Sequence, residues 1–412
     1  MSPREIVVVG AGLAGTNTCE QLRLRGFDGK ITLLGAESGA PYDRPPLTKA
    51  VLSGDRECTT LDIDLAALNV DHRPGTAATG LRLADLVVEC SAGELPFDGL
   101  VIATGARPIT LPGTSEQHTI RTIDDARRLR AKLLPGAHVV VIGGSWIGAE
   151  VATAAMARGC RVTCIEAGPT VAHVALGSVG RRLEPWWDGV DLRLDTMVER
   201  LDDREVHLVG GGSVPADVLV VGVGVRPDVA WLRNSGLEID RGVVVDERLR
   251  AADGVVALGD ASSWWSRRYG RRLNVEHWDN AVMSASVAAA TLLSADDAPV
   301  YDPIPYFWSD QFGHKIQYVG AHDHTARVVY RTAPDTDRWS AAWVDAYDRV
   351  VAMLVVDSPR DMVAARKLIA AESVVDLDRL ADARLRLPDA AVGGAPDAVA
   401  GPTLARVCGS KP

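Results

Sequence analysis

A strand, a glycine turn, a helix and a second strand occur twice in this chain, at its start and again near residue 139. That repeat constrains the fold more than any other feature. In the first copy a β-branched run, Ile6 to Val9, leads into Gly10-Ala11-Gly12-Leu13-Ala14-Gly15, an amphipathic stretch to Arg25, and a strand from Ile31 to Leu34 that ends near Glu37. In the second, Val139 to Ile142 leads into Gly143-Gly144-Ser145-Trp146-Ile147-Gly148, a helix to Arg158, and a strand from Val162 to Ile165 that ends at Glu166. A G-x-G-x-x-G match alone is a weak signal, and strand, turn and helix together give it meaning. Glycines let the backbone turn tightly and approach a pyrophosphate, whose charge then sits at the positive end of the helix dipole. An acid at the end of the second strand takes ribose hydroxyls. It follows the last glycine by 22 residues in the first copy and 18 in the second, near the expected ~20. Two bound dinucleotides are expected; the alternative is a doubly wound sheet whose glycines serve packing alone.

Composition narrows the class. Hydrophobic residues are 47% and charged residues 24% of the 412, the balance of a soluble globular protein, and no apolar run approaches the ~20 residues of a membrane span. The N-terminal segment is too short for a signal sequence, so a cytoplasmic location is expected. A formal charge of -10 argues against a general polyanion binder. Cys19, Cys58, Cys90, Cys160, Cys164 and Cys408 include no C-x-x-C pair and read as reduced, structural thiols. No metal site is expected.

Later segments are short and β-rich: Val218 to Val225, Gly242 to Val245, and Val255 to Leu258 before Gly259-Asp260. After Phe312 the alternating stretches Ile316 to Val319, Ala326 to Arg331, Ser340 to Val344 and Val350 to Val356 suggest a meander, followed by a helix from Pro359 to Ala371. From about residue 387 the chain is rich in Ala, Gly and Pro and reads as a disordered tail. The expected organisation is a split first dinucleotide domain (1–110 and 237–311), a second (111–236), a C-terminal α+β domain (312–386) and a tail (387–412).

The segments VVVGAGLAG, PYDRPPLTK, VIATGARP, IRTIDDA, VVVIGGSWIGAE, GVGVRPD, ALGDAS, VEHWDNAV and PYFWSDQFG, taken in order, resemble the FAD-dependent, NADH-using ferredoxin reductases of oxygenase systems. The resemblance runs to about Leu380. It implies an α/β fold of glutathione reductase-like architecture: two Rossmann-like domains, for FAD and NADH, plus the C-terminal α+β domain. It places Gly10, Gly12, Ala14 and Gly15 at the FAD pyrophosphate, Glu37 at the adenosine ribose, and Arg44 and Lys49 near phosphate and flavin. Arg121 and Asp260 join them, with Ala78, Thr104 and Gly105. Glu150 is implied as the carboxylate partner of Lys49, and Trp278 and Trp308 as rings beside the isoalloxazine. Lys49, Glu150 and Trp308 are the implied catalytic set. NADH would meet Gly143, Gly144, Ser145, Ile147, Gly148, Glu150, Glu166 and Gly224. Trp264 and Trp265 are open between a flavin-side and a plain core role.

A carboxylate at Glu166 favours two ribose hydroxyls over a 2′-phosphate, and no Arg follows within ten residues, so NADH is expected over NADPH. Ser145 departs from the pattern, since it stands where the second glycine usually lets the backbone approach the pyrophosphate. Either it weakens NADH binding or its hydroxyl bonds the phosphate. Hydride transfer from nicotinamide to flavin needs no protein acid or base, and the family's usual acceptor is an acidic two-iron two-sulfur ferredoxin. Arg267, Arg268, Arg271 and Arg272, between the Gly259-Asp260 turn and Trp278, are the expected docking face. Disulfide reductases and coenzyme A-type relatives are excluded because the stretch from Glu37 to Lys49 holds no cysteine. Two other readings stay open: an NADH-binding flavoprotein that signals or recruits, and a biosynthetic redox enzyme with a different acceptor.

Overall fold

The computed structural model describes residues 3–393 apart from 203, 295 and 334–336. The chain forms two compact units, residues 1–303 with 309–313, and residues 304–308 with 314 onward. In the first unit the β-branched run pairs in parallel on both sides, with Ile6 beside Ile31 and beside Gly99. The six-stranded sheet built on it runs Arg250–Ala252, Val255–Ala257, Gly99–Ile102, Glu5–Val9, Lys30–Leu34 and Val70–Arg73. Strand Val255–Ala257 joins this sheet beside Gly99–Ile102, so the chain returns to its first domain after building a second. That second domain centres on an all-parallel sheet, Asp191–Arg193, Arg161–Ile165, His138–Ile142 and Val218–Val221. Continuous apolar runs in the central strands fit sheets covered on both faces.

Helix Leu13–Leu24 packs along helix Trp278–Leu293. The buried Ala285, Ala288 and Ala289 of the latter allow two backbones to come close. The expected strand from Val218 to Val225 stops at Val221: the chain turns through Gly222 and Gly224 and resumes as Val225–Pro227, which pairs antiparallel with Ala106–Pro108.

A five-stranded sheet, carried by the second unit apart from residues 309–311 of its first strand, runs Tyr306–Gln311, His314–Gly320, Val350–Val356, Trp339–Val344 and Arg327–Thr332. This corrects the simple meander, because His314–Gly320 pairs with the last strand of the series instead of the next one, Ile316 lying beside Val356. Val350–Val356 is the most apolar of these strands, and the center position buries it on both edges. Helix Pro359–Ala370 lays Met362, Ala365, Leu368 and Ile369 on Val319, Met353 and Val355. Two boundaries change. The unit begins at Ile304 instead of 312, and the tail does not begin at 387: Leu387–Ala390 is a 3-10 turn, and Leu387 and Ala390 are buried in this core. Residues 394–412, including Cys408, lie outside the described residues.

Candidate functional site

The two glycine loops share one construction. Gly10 (φ +112°) carries its α-carbon against the neighbouring strand end, where a Cβ would come within 2.2 Å of the Ala103 carbonyl oxygen, and a Cβ on Gly15 would meet the Gly10 carbonyl oxygen at 2.0 Å. Gly143 and Gly148 repeat this, with contacts of 2.5 Å to the Gly222 oxygen and 1.9 Å to the Gly143 oxygen. The middle position differs. Nothing lies within 4 Å of the space a Gly12 side chain would take. Gly12 is the N-cap of Leu13–Leu24, a helix with no side-chain cap and no acid in its first turn. An open cradle in front of an uncapped helix start fits a pyrophosphate, so the residues present fit FAD.

Ser145 holds the same place before helix Trp146–Ala157, and its backbone (φ -95°, ψ -159°) matches that of Gly12 (φ -85°, ψ -171°). The serine is unstrained and makes no capping bond. Ser145→Gly is therefore expected to leave stability within about 1 kcal/mol and to tighten NADH several-fold, read by titrating the oxidised enzyme with NAD analogues. Weaker binding would make the hydroxyl a phosphate ligand.

The two terminal acids are used differently. Glu166 accepts from the Gly144 N–H (2.7 Å) and the Gly168 N–H (2.8 Å), bracing its loop while keeping lone pairs for a ribose. Glu37 accepts from the Tyr42 hydroxyl (2.6 Å) and from Arg44 (2.9 Å). Arg44 is thus held at Glu37, and its other nitrogen bonds the Arg121 carbonyl oxygen. Burial pushes the Tyr42 phenol up to about 12, so it remains a donor at neutral pH.

Lys49 and Glu150 meet: Lys49 Nζ lies 2.8 Å from both Glu150 oxygens. Glu150, only 4% exposed, also accepts from the Thr48 hydroxyl, the Ser309 hydroxyl (2.6 Å) and the Asp310 N–H (3.3 Å). Sequence reasoning missed Thr48 and Ser309. Arg121 pairs with Asp260 at 2.8 Å, beside Gly105 (φ +72°), whose added Cβ would stand 3.0 Å from the guanidinium. Glu276 is pushed up to about 7, by desolvation first and by the charge of Asp260 second. Thr104 donates to the Asp228 carbonyl oxygen (2.7 Å). Ala78 opens a strand opposite Cys90, Ile147 is 41% exposed at the start of its helix, and Gly224 (φ +106°) lies in the turn after Val221.

Trp278 begins helix Trp278–Leu293 and donates its indole N–H to Asp43 (2.8 Å), a second partnership the sequence did not disclose. Burial raises Asp43 above the usual carboxylate range. Trp308 belongs to the second unit, where it stacks on Tyr306 with ring centroids 6.2 Å apart. Trp264 is fully buried against Tyr301 and is a core residue, whereas Trp265 is 50% exposed. The four arginines sit around one hairpin, Ser262–Ser266 with Arg271–Leu273. Arg267 is ion-paired with Glu247, and Arg272 bonds the Ser263 carbonyl oxygen (3.1 Å). Cys58 is exposed, which corrects its structural reading; Cys19, Cys90, Cys160 and Cys164 are also free thiols, and none of the five is in a disulfide. Among the described residues no cluster of His, Cys, Asp and Glu could hold a metal ion, and no helix is long and apolar enough to cross a membrane.

Two nucleotide cradles in one unit, bridged by a lysine-carboxylate pair and lacking a redox disulfide, define a two-cofactor electron-transfer flavoprotein. The chain belongs to the pyridine nucleotide-disulphide oxidoreductase family, which matches over residues 4–285, followed by a reductase C-terminal domain over residues 306–391. It is 37% identical over 405 residues to the anthranilate 1,2-dioxygenase system ferredoxin–NAD(+) reductase component of Burkholderia cepacia, covering 93% of this chain and 98% of that one. Among solved structures it is similar to Fdr9 (53% identity, TM-score 0.91, covering 94% and 99% of the two chains). It is also similar to putidaredoxin reductase in its covalent complex with putidaredoxin (29% identity, TM-score 0.87, covering 94% and 98%).

Proposed function

We propose that this chain is the NADH-dependent, FAD-containing reductase that supplies single electrons to a two-iron two-sulfur ferredoxin serving a P450 or Rieske-type oxygenase, and that it works in the cytoplasm. The observation that carries the reading is the placement of two dinucleotide cradles in one unit, with Lys49 of the first domain bonded to Glu150 on the helix that starts the second cradle. Bound FAD supplies the chemistry, taking two electrons as a hydride and giving them up singly. The protein's part is position and charge. Gly10, Gly12, Ala14 and Gly15 hold the FAD pyrophosphate, with Glu37 and Arg44 at the ribose and Ala78, Thr104, Gly105, Arg121 and Asp260 along the rest of the cofactor. Lys49, ion-paired with Glu150, lies at the flavin, and Trp278 is oriented there by Asp43. Gly143, Gly144, Ser145, Ile147, Gly148 and Gly224 receive NADH, and Glu166 selects it by repelling a 2′-phosphate. The hairpin of Arg267, Arg268, Arg271 and Arg272 faces the ferredoxin.

Anaerobic mixing of the yellow holoenzyme with NADH or NADPH, followed at the flavin band, tests the reading. Fast bleaching with NADH and at least tenfold slower bleaching with NADPH at equal concentration is the expected result. Bleaching by neither nucleotide would replace the electron-transfer role with a binding or recruiting one.

A further inference from the structure

Strands Ala106–Pro108 and Val225–Pro227 pair antiparallel in a register that sets Arg107 directly opposite Arg226. Residues opposed in this way stand about 5 Å apart at their β-carbons, and like charges so placed repel. Both arginines are exposed. Among the described residues neither guanidinium makes an ion pair or a side-chain hydrogen bond, whereas Arg44, Arg121 and Arg267 are neutralised by Glu37, Asp260 and Glu247. The ribbon is pinned at both ends, by the Asp228 N–H on the Gly105 carbonyl oxygen (2.8 Å) and by the Ile109 N–H on the Gly224 carbonyl oxygen (3.0 Å). It does not splay to relieve the repulsion. Gly105, next to the Arg121–Asp260 pair, lies two residues from Arg107, roughly 7 Å along an extended strand.

Two unneutralised guanidinia on one face make a seat for a carboxylate, which each can grip through two N–H donors. We propose that Arg107 and Arg226 receive a surface carboxylate of the acidic ferredoxin and hold it at the flavin end of the first unit; this rests on the ferredoxin reading given above. A chain of charge -10 repels an acidic partner at long range, so the encounter depends on local cationic points without counter-ions. The hairpin offers fewer of these than its sequence implies, because Glu247 already neutralises Arg267.

The test uses the holoenzyme, reduced anaerobically with NADH and mixed with putidaredoxin as the probe at low and high salt. R107E converts the repelling pair into an opposite-charge pair, so its Tm is expected to equal or exceed that of the parent. Its second-order rate with putidaredoxin is expected to fall about tenfold at low salt, with a flatter salt dependence, while flavin reduction by NADH is unchanged. R226E should behave alike. Unaltered putidaredoxin rates in both variants, or a loss confined to R271E/R272E, would overturn the seat. A loss that appears in the NADH step would assign the pair to nucleotide phosphate instead. A parent enzyme that passes electrons from NADH to ferricyanide but to no two-iron ferredoxin would remove the ferredoxin reading, and the seat's occupant with it.

Discussion

Glu150→Leu is expected to lower Tm by on the order of 5 °C and to slow NADH-dependent flavin reduction at least tenfold. The carboxylate is 4% exposed and takes donors from Thr48, Lys49, Ser309 and Asp310. Its removal leaves an ammonium group and two hydroxyls in a recess with their acceptor gone. Breaking a buried ion pair from one side costs about 3 kcal/mol or more, reduced here because the Lys49 side chain keeps 24% of its exposure. In a protein this size each kcal/mol moves Tm by about 2 °C. The two effects separate in the double variant Lys49→Met/Glu150→Leu. An apolar pair of similar volume restores much of the stability, but it also removes the Lys49 charge that the proposed function sets at the flavin. Recovery of Tm without recovery of rate is the expected pattern, read by calorimetry and stopped-flow on the same preparations. A double variant that regains both would reduce the pair to a structural bolt.

Gly148→Val is expected to leave a yellow, FAD-loaded protein that dithionite reduces normally and NADH reduces at least a hundredfold more slowly. A Cβ at this position would stand 1.9 Å from the Gly143 carbonyl oxygen and 3.3 Å from a Val141 methyl. The helix must therefore back away from the turn that shapes the second cradle. Overpacking of this kind costs about 1–3 kcal/mol, within what a chain of this size tolerates, and the first cradle is built from other segments. Spectral FAD content separates loss of one nucleotide from general misfolding. Wild-type bleaching by NADH would show that the second loop is not where hydride arrives.

Local constraints were legible in the sequence and distant partnerships were not. Gly10, Gly15, Gly143 and Gly148 are forced by φ or by backbone approach within a few residues, and that leaves a spaced signature anyone can read. The Lys49–Glu150 bond was available only through family likeness, since 101 residues separate the two. Thr48 and Ser309 lie 102 and 159 residues from the carboxylate they serve, and Asp43 lies 235 from the indole it holds. Small polar residues in such places have no periodicity to announce them. Arg107 and Arg226 each sit in a Val- or Ala-flanked Arg-Pro dipeptide that reads as a turn, and only the register shows that they collide. The C-terminal strand order failed for a related reason: alternation marks a strand without saying which neighbour it takes.

The matching backbones of Gly12 and Ser145 bear on how such chains diverge. The outer letters of the glycine motif are written by the fold, because a side chain there collides with main chain. The middle letter is written by the guest. A lineage can change it in one step, keep its shape and its yield of folded protein, and move its appetite for a nucleotide up or down. Drift at that single position offers a way to retune an electron supply to the wealth of a cell's NADH pool while everything that recognises the rest of the molecule stays as it was.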